Sequence, residues 1–368
     1  MILKHLSILN YKNIPEVELT LSPKINCFLG DNGMGKTNLL DAVYYLSFCK
    51  SHSNPIDSQV ILHDADICMI KGKYEFATGS EEEISCALKR RQKKQFKRNK
   101  KQYDKLSAHI GFIPLVMISP ADNDLIMGGS EERRMFMDVA ISQFDKPYLQ
   151  SLVRYNNALQ QRNATLKSDS IDKSLLEIWE EVMIEEGEAI FEKRNLFIQE
   201  LTPIFHQFYS TISQSKEIIS LNYSSQLSDC SLKERLLAAR ERDMILGHTT
   251  IGIHRDDLDM LIDDEFPIKR DGSQGQKKTF FVSLKLAQYQ FLASKSNTTP
   301  ILVLDDIFDR LDETRVKEII KLVSSNDFGQ IFISDTNRQS LDRILQPFND
   351  NYHLYSVEDG VIEQMDNL

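Results

Sequence analysis

The stretch GDNGMGKTN, residues 30–38, places Gly30, Gly35, Lys36 and Thr37 at the spacing G-x-x-x-x-G-K-[ST]. The apolar run INCFL precedes it, and apolar residues at helical spacing follow it. The segment therefore reads as strand, loop and helix, the context a phosphate cradle requires. Glycines let the backbone amides of Gly30, Asp31, Asn32, Gly33, Met34 and Gly35 turn inward around a triphosphate. The helix that opens with Lys36, Thr37 and Asn38 adds a favourable dipole. Lys36 is expected to reach the β- and γ-phosphates and Thr37 to hold a metal ion, so ATP and Mg²⁺ are the expected cofactors.

Such a loop needs a partner carboxylate. In ILVLDDIFDRLD, residues 301–312, four apolar residues form a buried strand whose end presents Asp305 and then Asp306. Asp305 is the expected Mg²⁺ ligand, and Asp306 is placed to polarise an attacking water. Alone, an acidic strand end reads as a solvated turn; beside a phosphate loop it reads as the other half of one site. A third stretch, DGSQGQKK at 271–278, sets Ser273, Gly275 and Gln276 ahead of a helix with Phe280, Leu284, Ala287 and Phe291 on its buried face. Its small residues and their amides thus sit at a helix N-terminus and form a second anion-binding feature. In a chain with one phosphate loop, that feature makes most sense acting on the nucleotide of another copy.

The elements that must position these residues follow from the pattern of the chain. Strand signals fill the N-terminal part, beginning with the alternating MILKHLSILNYKNIPEVEL, which reads as a strand and not as a signal peptide. From about 130 to 245 the pattern changes to long amphipathic helices, with Leu175, Trp179, Val182, Ile190, Phe197 and Leu201 at three- and four-residue steps. Ser130 is the expected cap at the entry to this region, with Glu131 and Glu132 in the first turn. Strands return after 245, with a helix around 313–325 and then the strand QIFISD. An α/β unit formed by residues 1–115 and 245–368, with a helical lobe at 116–244 inserted in it, accounts for this alternation.

Composition narrows the function. The 368 residues are 41% apolar and 27% charged, as in an ordinary globular protein. No long uncharged apolar run suggests a membrane span, so a cytoplasmic location and no membrane partner are expected. The five cysteines form no CxxC pair and read as buried thiols. A net charge of −10 argues against nucleic acid, yet residues 89–101, KRRQKKQFKRNKK, hold nine Lys or Arg and no acid. That run reads as an exposed hairpin in which Arg90, Arg91, Lys93, Lys94, Lys97, Arg98, Lys100 and Lys101 contact DNA phosphates without reading sequence. Phe96 and Tyr103 are expected to pack beneath it, because too few aromatics are interleaved to stack bases.

SQGQ resembles the signature motif of ABC-type ATPases, and the DD strand and RLD follow at the usual distance, the latter like their D-loop. Such ATPases dimerise head to tail around two nucleotides. Within that superfamily LSILNYKNI, GDNGMGKTNLLDAVYYLS, ISPADNDLIMGGSEERRMFMD, RYNNALQQRN and GHTTIGIHRDDL are similar to the RecF family, in family order from residue 1 to about 340. The resemblance implies an α/β head like those of SMC proteins, with a short helical lobe in place of a long coiled coil. It further implies ATP-dependent homodimerisation on double-stranded and gapped DNA, slow and DNA-stimulated hydrolysis, and recombinase loading with RecR and RecO. Several positions depart from the usual patterns: Asp306 stands where most ABC ATPases have Glu, Ala121 where the family usually has Glu, and Ile253 where it usually has Pro. IFISDTN lacks the histidine that many ABC ATPases place after this strand, which leaves Asp335 or Thr336 nearby. Lys12 matches a basic position near the nucleotide in related heads. Arg133, Arg134, Arg154 and Arg162 lie on helices where a salt-bridged face is an equal alternative, and His254 and Arg255 read as joining the lobes.

Two other function classes fit less well. A DNA-binding adaptor using nucleotide as structural glue is separated from an ATPase by measuring phosphate release with and without duplex DNA. A small-molecule kinase leaves SQGQ, the paired aspartates and the basic run unexplained. The expected outcome for Lys36→Arg is retained partial ATP binding with loss of hydrolysis; unchanged turnover in a phosphate-release assay would remove Lys36 from the site.

Overall fold

The computed structural model describes residues 1–214, 217–307, 313–323, 325, 327–336, 345 and 352–365. They fall into two compact units, Met1–Asp122 with Leu284–Leu368, and Asn123–Ser283. The boundary lies inside the helix Gln274–Lys295.

The first unit holds two six-stranded sheets. One has the order Val361–Met365, Tyr352–Glu358, Ile25–Leu29, Ile331–Asp335, Ile301–Asp305, Leu115–Ile118. Its neighbours run parallel except the first pair, which is antiparallel. LVMI, ILVLD and IFISD are buried throughout, as expected of parallel strands covered on both faces. The helix Lys36–Phe48 rises from the strand Ile25–Leu29 through the glycine loop and is itself buried along most of its length. The second sheet is antiparallel, in the order Ile14–Thr20, Ile2–Tyr11, Ile67–Glu75, Glu81–Lys89, Gln95–Arg98, Lys101–Gln102. Its strands alternate buried and accessible residues, the signature of one covered face. The basic run is therefore not one hairpin: it crosses three strands and two turns, with Arg91, Asn99 and Lys100 in left-handed backbone conformations.

The second unit contains the helices Ser130–Ser142, Lys146–Leu166, Lys173–Ser213 and Leu232–Leu246. Ser130 is already the first helical residue, and Gly129 stands at the cap position with no side-chain bond. Asp145 and Asp172 cap the next two helices by accepting from backbone amides of their first turns. Residues 245–283, which the sequence assigned to the α/β unit, fold here because Asp257–Ile262 pairs antiparallel with Ile219–Ser224. The buried side of Lys173–Ser213 also differs from its apolar pattern. Leu175 is 39% exposed, while Glu180 and Arg194 are 3% and 1% exposed.

Those buried charges form two networks. The Arg162 guanidinium, fully buried, donates to Glu180 at 2.9 Å, to Asp243 at 2.7 Å and to the Thr249 hydroxyl at 2.8 Å. Arg194 donates to Asp138, Asp256 and the Ile253 carbonyl. Removing one member of such a group leaves an uncompensated buried charge and costs about 3–5 kcal/mol.

In the first unit, His109 lies buried beneath the basic run, its ring against Phe96, Tyr103 and Phe112. Nε2 donates to the Leu46 carbonyl at 2.7 Å, which leaves Nδ1 to accept from the Tyr103 hydroxyl at 3.0 Å. Burial lowers its pKa to about 4. Between that value and the ~6.5 of an unfolded histidine, only the unfolded chain takes up the proton, so stability is lost as pH falls through this window. The expected slope from this group approaches about 1.4 kcal/mol per pH unit. Melting temperatures of wild type and His109→Gln from pH 6.5 to 5 check this. The variant should show the shallower decline, and parallel curves would contradict it.

Candidate functional site

The phosphate loop is built by geometry the sequence requires. Gly33 and Gly35 have φ of 86° and 116°, a region side chains avoid. Lys36, 3% exposed, donates through its ammonium to the carbonyls of Gly30 at 2.7 Å and Asp31 at 3.1 Å. Thr37 opens the helix and donates through Oγ1 to Asp305 Oδ1 at 3.1 Å. The parallel register of Ile301–Asp305, Ile331–Asp335 and Ile25–Leu29 delivers Asp305 to that point. Ser334, on the intervening strand, donates to the same Asp305 oxygen at 2.6 Å and accepts from the Asp306 amide at 3.0 Å. Asp306 turns out of the strand with φ of 46°.

Asp305 is 1% exposed, and burial raises its pKa, offset in part by the Ser334 and Thr37 hydroxyls. A buried carboxylate beside a hydroxyl is a pair of hard oxygen donors, which suits Mg²⁺ completed by water and phosphate. Among the described residues no cluster of three His, Cys, Asp or Glu offers a self-sufficient metal cage. The other expected residues of the loop, Asn32, Met34 and Asn38, stand in or next to it, with Asn38 donating to Asn13 Oδ1 at 2.7 Å. Asp335 accepts from the Gly30 amide through its backbone carbonyl at 3.4 Å, and Thr336 is exposed. The RLD segment, residues 310–312, lies outside the described residues.

In the second unit, SQGQ forms a reciprocal cap. Ser273 Oγ accepts from the Gln276 amide at 3.2 Å, and Gln276 Oε1 accepts from the Ser273 amide at 2.7 Å. The Gln276 side chain also donates to Glu217 at 3.0 Å. Gly275 lies in the first turn, and Phe280, Leu284, Ala287 and Phe291 are buried as expected. Because the Ser273 oxygen accepts the cap bond, its hydroxyl proton remains a donor at an exposed helix start.

The basic residues divide into two groups. Arg90 donates to the carbonyls of Ala65, Ser58, Leu62 and His63. Lys94 binds the Cys49 carbonyl and Asp57. Arg98 grips Glu82 at 2.9 and 2.6 Å and lies 3.9 Å from the Phe112 ring centroid. These three serve the fold, Arg90 and Lys94 bonding to segments beside the sheet and Arg98 to its neighbouring strand. Arg91, Lys93, Lys100 and Lys101 are exposed and Lys97 half-buried. Phe96 is buried below, as expected, with Tyr103 against it.

Several weighed residues have internal partners. Lys12 is in a left-handed turn and pairs with buried Asp41 at 2.5 Å. Arg133 pairs with Asp257, Arg134 donates to the Asp256 carbonyl, and Arg154 pairs with Glu186. His254 and Arg255 bond to Tyr155 and Thr249, all within the second unit. Sequence reasoning missed Asp41, which also accepts from Tyr11, Ser51 and the His52 amide. A lone acid in the apolar helix NLLDAVYYLSF was its signal. Ser334 was missed as well, being one polar residue in an apolar strand.

A phosphate loop on one strand of a parallel sheet, answered by an acid from a strand two places away, defines a P-loop ATPase head, and its wider likeness is to the ABC type. The chain matches the family described as RecF/RecN/SMC N terminal domain over residues 2–363. It is 59% identical to the DNA replication and repair protein RecF of Bacteroides thetaiotaomicron over 366 residues, covering 99% of both chains. It is 46% identical to RecF of Porphyromonas gingivalis, covering 99% of this chain and 100% of that one. A solved RecF-ATP, described as a recombination mediator protein in the RecFOR pathway, matches with a TM-score of 0.88 and 28% identity, covering 99% and 98%. The Smc head of Pyrococcus furiosus shares the fold, with a TM-score of 0.58 and 14% identity. The chain thus belongs to the RecF family. Among the described residues no helix is long and apolar enough to cross a membrane.

The division among the cations yields a test by duplex binding at several salt concentrations. Replacing Lys93, Lys97, Lys100 and Lys101 together with Ala is expected to weaken binding and flatten the salt dependence by about 0.9 per lost phosphate contact. Arg98→Ala should instead lower the melting temperature and leave the salt slope largely intact. An unaltered slope in the quadruple variant would take DNA off this surface.

Proposed function

We propose that this chain is an ATP-dependent DNA-binding protein of recombinational repair and replication-gap processing. ATP binding drives two copies together head to tail on double-stranded DNA, slow DNA-stimulated hydrolysis releases them, and recombinase is helped onto single-stranded DNA. The observation that carries the reading is the meeting of Thr37 and Asp305 at 3.1 Å beside a phosphate loop whose lysine is buried. In this reading Lys36 and the loop from Gly30 to Asn38 hold the triphosphate. Thr37 and Asp305 hold Mg²⁺, which when bound offsets phosphate charge. Asp306 polarises the attacking water, and Ser273, Gly275 and Gln276 face the γ-phosphate of the other copy. Arg91, Lys93, Lys97, Lys100 and Lys101 follow the duplex backbone, whereas Arg90, Lys94 and Arg98 keep their supporting place.

The family supports the repair assignment, and the solved RecF-ATP supports nucleotide binding. Partnership with RecR and RecO fits the RecFOR pathway for which that protein is described. The ATPase head is assigned to residues 1–115 and 245–368 and the helical lobe to 116–244, and the compact units of the fold would extend that lobe to residue 283.

Solution mass without nucleotide, with ATP and Mg²⁺, and with ADP tests this, with Asp306→Asn used to slow hydrolysis. ATP should convert monomer to dimer and ADP should not. Ser273→Arg should bind ATP and stay monomeric. A variant that still dimerised normally would remove SQGQ from the shared site, and a mass unchanged by ATP in the Asp306→Asn protein would favour the adaptor.

A further inference from the structure

The outer side of the phosphate loop is held by two turns far apart in sequence. Asn13, between the first two strands, donates through Nδ2 to the Met34 carbonyl at 3.2 Å, and its Oδ1 accepts from Asn38 Nδ2 at 2.7 Å. Gly360, in the turn of the C-terminal hairpin, donates its amide to the same Met34 carbonyl at 2.9 Å. The neighbouring Asp359 amide approaches the Met34 sulfur at 3.4 Å.

The fit leaves no space. A Cβ on Gly35 would stand 2.9 Å from both ends of the Asn13 amide. One on Gly30 would stand 2.2 Å from the Val357 carbonyl oxygen, and one on Gly360 would stand 2.0 Å from that of Asn13. The tightest pair involves backbone on both sides, so the hairpin turn and the Asn13 turn are seated on each other and on the loop.

The direction of the Met34 carbonyl decides that of the next donor. In a trans peptide the C=O and the following N–H point opposite ways. Two donors holding the Met34 oxygen on the outside therefore turn the Gly35 N–H to the inner side, where an anion is cradled. Asn13 is thus bonded to the loop on its outer side and acts through the peptide that joins Met34 to Gly35.

We propose that Asn13 and the C-terminal turn at Asp359–Gly360 form a clasp that orients the Gly35 amide for phosphate, making Asn13 a positioning residue for nucleotide and the hairpin turn a reporter of its presence. This rests on the phosphate-loop reading above. With phosphate on the inside, the Met34–Gly35 peptide is pulled from both ends, its C=O by the clasp and its N–H by the anion, so loading the loop should tighten the bond to Gly360.

The test uses the full chain with two readouts, ATP affinity by calorimetry and hydrogen exchange across residues 352–365 with and without ATP and Mg²⁺. In wild type, ATP should slow exchange at the turn. Asn13→Ala should weaken ATP binding about tenfold, the scale of one charge-assisted or strongly oriented hydrogen bond, and should reduce the ATP-dependent protection. Asn13→Asp keeps the acceptor for Asn38 and removes the donor to Met34, so it should bind ATP no better than Asn13→Ala. A wild-type turn whose exchange ignores ATP that calorimetry shows to be bound overturns the clasp. So does an Asn13→Ala protein that is folded and binds ATP at wild-type affinity. Absence of ATP binding to the wild type itself would instead overturn the phosphate-loop reading.

Discussion

A hydrogen bond between Thr37 and Asp305 joins residues 268 positions apart, and the fold is arranged around making that contact. A hydroxyl at a helix start and a carboxylate at a strand end can meet only if their strands share one sheet in a fixed register. The strand Ile331–Asp335 sits between the two and sets that register on both sides. Everything from the second sheet to the helical unit is an excursion that leaves this sheet and returns to it. Ser334 then fills the last gap by bonding the same Asp305 oxygen. The acid is held in place at the cost of burial, which a cation would relieve.

The second unit solves a different problem. Its helices are amphipathic, yet their inner faces carry Arg162, Glu180, Arg194 and Asp243. Buried guanidinium groups with several fixed acceptors demand one arrangement of the surrounding helices, because a shifted helix leaves a charge unpaired. Arg162 draws on the helices Lys173–Ser213 and Leu232–Leu246 and on Thr249, and Arg194 draws on Asp138 and the Asp256 segment. The apolar residues close this unit, and the ion networks specify how it closes.

This contrast explains what was legible in the sequence. The phosphate loop was plain, since an apolar run ending in that glycine spacing has few alternative meanings, and the acidic strand end took its meaning from standing beside such a loop. The end of the helical unit was not, because a strand pairing between Ile219–Ser224 and Asp257–Ile262 leaves no local mark. Leu175 belongs to the apolar repeat of its helix yet is 39% exposed, since the apolar period could not foresee that Glu180 and Arg194 are buried on the same helix. Within the basic run, composition showed nine cations but not that Arg90, Lys94 and Arg98 spend their donors on carbonyls and acids of the fold. Asn13 carried no chemical motif of its own, and its place against Gly35 follows from a tertiary contact alone.

The position of the strand Ile25–Leu29 in its sheet bears on how the chain is made. Both of its neighbours, Ile331–Asp335 and Tyr352–Glu358, are made roughly 300 residues after it. At roughly 5–20 residues per second, some 300 residues of synthesis keep this apolar strand waiting for about 15–60 s with neither edge paired. During that interval it is an open template for another nascent chain. The antiparallel sheet built from residues 2–102 forms from early, adjacent strands and can assemble meanwhile. Translation thus supplies the strands of the surface bearing the basic run well before the two strands that flank Ile25–Leu29, which leads into the glycine loop.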